Sequence, residues 1–156
     1  DAEKLTWDKY DPCCCTPLFD AIGKTVKKIK KDTKDIEDAA VLVTIITDGY
    51  ENSSKEWTGP MVKKLIDECK EEGWMFSFIG AGEDVVKVAT TISITNTVVW
   101  EQTSEGTAAM FENENQARNR FYDKIAAPCC GAPMSLEERK AMKRRLSEEY
   151  YDKDKK

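Results

Sequence analysis

At 156 residues the chain has the length of one domain, and its 40% hydrophobic content is enough for a core, which excludes wholesale disorder. Charged residues reach 34% and mark a heavily solvated surface, while a net charge of −5 argues against nucleic acid, which needs a concentrated basic face. No apolar run approaches the ~20 residues that span a bilayer, and the opening residues Asp1, Glu3 and Lys4 belong to no signal-like segment.

In chain order, residues 16–31 (TPLFDAIGKTVKKIKK) place Leu18, Ile22, Val26 and Ile29 at helical spacing, with lysines mostly on the other side. Thr16 followed by Pro17 reads as an N-cap with proline at the first helical position. Residues 41–47 (VLVTIIT) form a continuous run, as expected of a strand covered on both faces. A second amphipathic helix over 59–72 carries Val62, Leu65, Ile66 and Cys69. WMFSFIGAG (74–82) predicts another buried strand, EDVVKVAT a short helix, and TNTVVW (95–100) a third strand. A helix over 107–126 follows, with Phe121, Tyr122 and Ile125 as its expected buried end. Alternating helices and strands of this length imply right-handed crossovers and a parallel sheet, its strands adjacent in chain order with 41–47 outermost of the three.

Beyond residue 126 the composition changes. Residues 127–134 read as a Cys/Pro linker, and Ser135 with Glu138 forms a capping box for a charged helix over 135–156. That last segment has eight Lys or Arg against six Asp or Glu, a net of +2, and the rest of the chain carries −7. Its single thin stripe, Met142, Leu146 and Tyr150, suits a solvated helix resting on the body or on a neighbour, and is too short for a coiled coil or a membrane surface.

Asp48 stands at the carboxyl end of the 41–47 strand, where ligands bind in parallel α/β sheets. Two roles are open to it: capping the following turn through neighbouring N–H groups, or giving oxygen to a hard cation such as Mg²⁺.

Three stretches taken in order, CTPLFDAIGKTV, VLVTIITDGYENSS and GWMFSFIGAGEDV, resemble a von Willebrand factor A (vWA) domain of the bacterial, intracellular kind, over about Leu5 to Ile125. The resemblance implies an α/β fold with a doubly wound, mostly parallel, Rossmann-like sheet, partial here and followed by the extra C-terminal helix. Residues 1–126 then correspond to the C-terminal part of such a domain. It implies a metal-ion-dependent adhesion site (MIDAS) drawn from a D-x-S-x-S strand end, a threonine before a helix and the aspartate of a T-D-G turn. Thr16 matches the second element and Asp48 the third, with Mg²⁺ or Mn²⁺ as the ion, bound weakly by these two alone. A cytoplasmic location and a protein partner offering an acidic residue follow from the same likeness, with neither membrane nor nucleic acid expected.

The sequence departs from that family in two ways. No D-x-S-x-S occurs in it, so the expectation is that another chain or a segment outside these residues completes the sheet beside 41–47. Cys13, Cys14 and Cys15 replace the usual glycine-containing turn before the threonine, and Cys129 and Cys130 recur in the linker. Zinc, disulfides and free thiols are all open for them, although adjacent cysteines seldom share one ion and no C-x-x-C is present. Cys69 reads as a plain core residue.

Catalysis has little support. There is no histidine to activate a cysteine, the neighbouring acids Glu71–Glu72 and Glu148–Glu149 point different ways on helices, and IGAGED lacks the G-x-G-x-x-G pattern. Two functions are expected to compete: a cation-dependent protein-binding module, and a metal-independent assembly protein using its exposed strand edge.

Overall fold

The computed structural model describes residue 6, residues 15–127 and residues 133–151. Among them the chain runs α1 (Leu18–Thr33), β1 (Leu42–Thr47), α2 (Gly59–Glu71), β2 (Met75–Gly80), α3 (Glu83–Thr91), β3 (Asn96–Val99), α4 (Ser104–Ala126) and α5 (Leu136–Glu148). The three strands form one sheet in the order β1-β2-β3, both pairings parallel, with Leu42 opposite Met75 and Ser77 opposite Asn96. Each crossover is long enough to return the chain for parallel pairing. Helices flank both faces, so the protein is α/β with a three-stranded parallel sheet. No helix among the described residues is long and apolar enough to cross a membrane.

Side chains alternate across a strand, and the two faces separate accordingly. Val43 and Ile45 of β1 and Phe76 and Phe78 of β2 join the cluster of Leu18, Ile22 and Val26 from α1, all four expected residues of α2, and Val85 and Ala89 of α3. Leu42 and Met75 turn the other way, toward Ala117 and Phe121 of α4 and Tyr150 beyond α5. All six residues of the central β2 are buried. β1 departs from the expectation of a strand covered on both faces: Ile46 is 43% exposed and Leu42, Val43 and Thr44 are half-buried. The reason is its position at the edge of the described sheet, next to β2 alone.

Smaller differences have local causes. Ile29 is only half-buried at the end of α1, and Lys30, expected in solvent, is drawn onto Glu72 at 2.8 Å. α4 starts three residues before its expected origin because the Thr103 side chain caps it by accepting from the Gly106 amide. Tyr122 is exposed where burial was expected: it lies one position past Phe121, off the stripe Met110–Glu114–Ala117–Phe121 that faces the sheet.

The face under α4 and α5 holds two buried charges. Glu114 is 2% exposed and accepts from Thr44 Oγ1 at 2.6 Å, Tyr150 Oη at 2.9 Å and Tyr151 Oη at 2.6 Å. Lys143 is 1% exposed and donates to Asp38 Oδ1 at 2.6 Å and to the carbonyls of Asp38 and Ala39. Arg139 takes the other Asp38 oxygen at 2.6 Å. So α5, begun by the expected Ser135–Glu138 capping box, is seated on the body through ion pairs and tyrosine hydroxyls more than through its thin stripe, in which Met142 and Leu146 are half-buried. Most of the linker, residues 128–132, lies outside the described residues.

Candidate metal centre

Strand β1 ends at Thr47, and its backbone turns at Asp48 and Gly49. The Thr47 hydroxyl braces the turn, accepting from the Gly49 amide at 3.2 Å and donating to the Gly49 carbonyl at 3.0 Å. Asp48 is exposed. Thr16, in the segment before α1, comes down on the same turn. A Cβ built on Gly49 would stand 2.8 Å from Thr16 Oγ1, closer than real side-chain contacts allow, so the glycine is what admits the threonine. Thr16 is thus seated on Gly49, the residue that follows Asp48, at the carboxyl end of the sheet. Neither the Thr16 hydroxyl nor the Asp48 carboxylate is hydrogen-bonded to another described residue.

Thr16 does not cap α1 as its sequence position suggested. Pro17 occupies the N-cap position with no side-chain bond of its own. The first helical amides are served from far along the chain: Phe19 N–H donates to Glu51 Oε2 at 2.7 Å and Asp20 N–H to Ser54 Oγ at 3.0 Å. Thr16 instead exchanges main-chain bonds with Asn52, its amide donating to Asn52 Oδ1 at 2.8 Å and its carbonyl accepting from the Asn52 amide at 3.2 Å.

The loop after the turn is fixed in return. Asp20 accepts from the amides of Lys55, Glu56 and Trp57 at 3.0, 2.9 and 2.8 Å. The Lys55 amide foremost, with those of Trp57 and Glu56 and the Lys24 charge, holds its carboxyl below the usual carboxylate range against a desolvation that pushes upward. For Glu51 desolvation is the largest single influence and pushes upward. The Ser54 hydroxyl and the amides of Phe19, Ser54 and Ser53 together outweigh it, and the carboxyl is lowered. Trp57 closes the arrangement by lying on Gly23, where a Cβ would fall 2.1 Å from its ring, with Lys27 Nζ 4.8 Å from the ring centroid on the solvent side. Sequence reasoning missed Asp20, Glu51 and Ser54. The available signal was an acid in the first turn of a helix, paired with a polar run after T-D-G.

As a metal centre the donor set is one carboxylate and one hydroxyl, oxygen ligands that fit a hydrated hard cation and are poor for zinc. Among the described residues, no three His, Cys, Asp or Glu side chains come together as a ligand group. Cys15, beside Thr16, is an exposed free thiol, and Cys69 is a buried one whose burial pushes it up to about 11. Cys13, Cys14, Cys129 and Cys130 lie outside the described residues. A hollow of about 550 Å³ bordered by Lys30, Asp38, Trp74 and Lys140 opens at the opposite, amino end of the sheet and plays no part in this site. Comparison with protein-family models, with curated proteins and with solved structures gives no match to the chain.

Proposed function

We propose that the chain is a protein-binding module of the vWA type. Thr16 and Asp48 give oxygen ligands to Mg²⁺ or Mn²⁺, and a carboxylate from a cytoplasmic partner protein takes an open coordination position. The observation that supports this reading is the packing of the Thr16 hydroxyl on Gly49, the residue after Asp48, across 33 residues of sequence that include a helix and a strand. Two protein groups leave most of an octahedral shell to water, to the partner and to a D-x-S-x-S strand end brought beside β1. In this reading the module binds and does not catalyse: the ion holds a partner. Titrating Mg²⁺ by calorimetry into the chain, into its Asp48→Ala variant and into a version carrying an added D-x-S-x-S strand tests the reading. Weak heat in the first, none in the second and strong heat in the third are expected. Equal, negligible heats in all three would sink it.

A second reading has its own observation. β1 is bordered by one described strand only, and its Ile46 is 43% exposed, so the edge suits metal-independent assembly. Concentration-dependent association that chelator leaves unchanged would favour this reading over the first.

A further inference from the structure

The loop 51–57 and the first turn of α1 are joined by two carboxylates running in opposite directions. Glu51, on the loop, accepts from the helix amide of Phe19 and from the Ser53 and Ser54 amides and the Ser54 hydroxyl of its own loop. Asp20, on the helix, accepts from three successive loop amides, while its own amide donates to Ser54 Oγ. A helix N-terminus is ordinarily satisfied by the side chain of its own N-cap residue. Here a donorless Pro17 fills that position, and the acceptors come from the segment that follows Asp48. For stability alone a local serine would serve. Acceptors recruited from this loop do something a local cap does not: they fix the segment bearing Thr16 relative to the turn bearing Asp48.

We propose that Glu51 and Asp20 are positioning residues of the Thr16–Asp48 site, setting the Thr16 hydroxyl against Gly49 and so the separation of the two ligand groups. The inference rests on the reading that these two residues share a cation. Removing groups that orient metal ligands typically weakens affinity by about 10–100-fold, and that is the loss expected of Glu51→Ala. Amide-resolved NMR with added Mn²⁺ reads both levels at once. In the unaltered chain the paramagnetic broadening should centre on Thr16, Asp48 and Gly49. In Glu51→Ala it should need about 10–100-fold more Mn²⁺, with exchange of the Phe19 and Ser54 amides faster by about tenfold or more and the β2 signals unmoved. Glu51→Gln, which keeps an acceptor oxygen for Phe19, should recover much of the response. Glu56→Gln removes a charge from the same loop, one that pairs with Lys24 and touches no amide of α1, and should leave the response unchanged. Should Glu51→Ala fail to fold, Glu51→Gln and Asp20→Asn carry the comparison, each expected to weaken Mn²⁺ binding relative to Glu56→Gln. Normal broadening in the unaltered chain, with equal Mn²⁺ response in every Glu51 and Asp20 variant, would overturn the positioning role alone. Absence of broadening in the unaltered chain would overturn the cation site, and the positioning role with it.

Discussion

On the face that meets α1, α2 and α3, the sheet is packed by hydrocarbon: Leu18, Ile22, Val26, Val62, Ile66 and Phe78 belong to one contiguous cluster. On the face that meets α4 and α5, the buried apolar residues are Met75, Ala117, Phe121 and Tyr150; Glu114 is buried against Tyr150, and Lys143 of α5 is buried over Asp38 and Ala39. The first face gains from burial in proportion to area and tolerates modest reshaping. The second depends on complete pairing, because a buried charge that loses its partner is far more costly than a lost methylene. The same sheet therefore has one face that degrades gradually and one that should fail abruptly.

The largest effect is expected where that contrast is sharpest. Lys143→Ala leaves Asp38 to Arg139 alone and opens a gap under α5, a loss of about 3–5 kcal/mol by the usual cost of breaking a buried ion pair from one side. Replacing both partners, Lys143→Met with Asp38→Asn, should recover most of it, since asparagine tolerates the positive φ of 60° found at residue 38. Urea unfolding of the single and double variants measures both. If the double variant is no better than the single, the charge pairing is not what seats α5.

On the hydrocarbon face Ile22→Ala should cost about 2–5 kcal/mol, the range for truncating a buried aliphatic. No second-site change at a polar group should restore it. A loss below about 1 kcal/mol would mean that α1 does not present a core face there.

This division also explains what could be read from the sequence. The apolar stripes of α1 and α2 are local patterns, and Leu18, Ile22, Val26, Val62, Leu65, Ile66 and Cys69 were legible from 3.6-residue spacing alone. So were the three strands, their parallel order and the Ser135 capping box. Lys143 was not, because a lysine inside a charged helix reads as solvated, and only Asp38, 105 residues away, makes it a core residue. Glu114 is hidden in the same way by a partner 36 residues on. At the site, Thr16 and the T-D-G turn were visible as a motif, while the Glu51–Asp20 exchange was not. It rests on backbone amides, which leave no trace in residue identity.

Acid should separate the two faces next. Desolvation pushes the Asp38 carboxyl upward, but the bonds and charges of Lys143 and Arg139 prevail and hold it below the usual range. A carboxyl with a depressed folded value contributes stability that is fully present above its ordinary value of about 4 and is lost as pH falls through the folded one. Below about pH 4, amides of α5 should therefore exchange faster before those of α2 do, and Asp38→Asn should flatten the difference. The lowered carboxyls of Glu51 and Asp20 place the loop 51–57 on the same acid limb. Simultaneous loss of α2 and α5 protection would contradict the picture of two differently built faces.

Gly49→Ala should have the smallest effect on stability and a large one on the site. The added Cβ meets Thr16 Oγ1 at 2.8 Å, and the obstacle is a side-chain hydroxyl, not backbone. Thr16 can yield by turning about its χ1, at a cost of about 0.5–1.5 kcal/mol for leaving its preferred rotamer. Replacing glycine where its backbone is not strained returns about 0.4–1 kcal/mol by restricting the unfolded chain. The two nearly cancel, so urea unfolding should place the variant within about 1 kcal/mol of the parent. The Thr16 hydroxyl, however, can no longer lie on the turn beside Asp48, and an ion held by both should be bound far more weakly. Lys143→Ala is the mirror case, costly to the fold through a contact at the amino end of the sheet and remote from Asp48. Measuring Mn²⁺ broadening on both variants, each at a temperature where it is fully folded, dissociates the two effects. If Gly49→Ala keeps the parent's response, Thr16 is a packing residue at the turn and contributes no ligand.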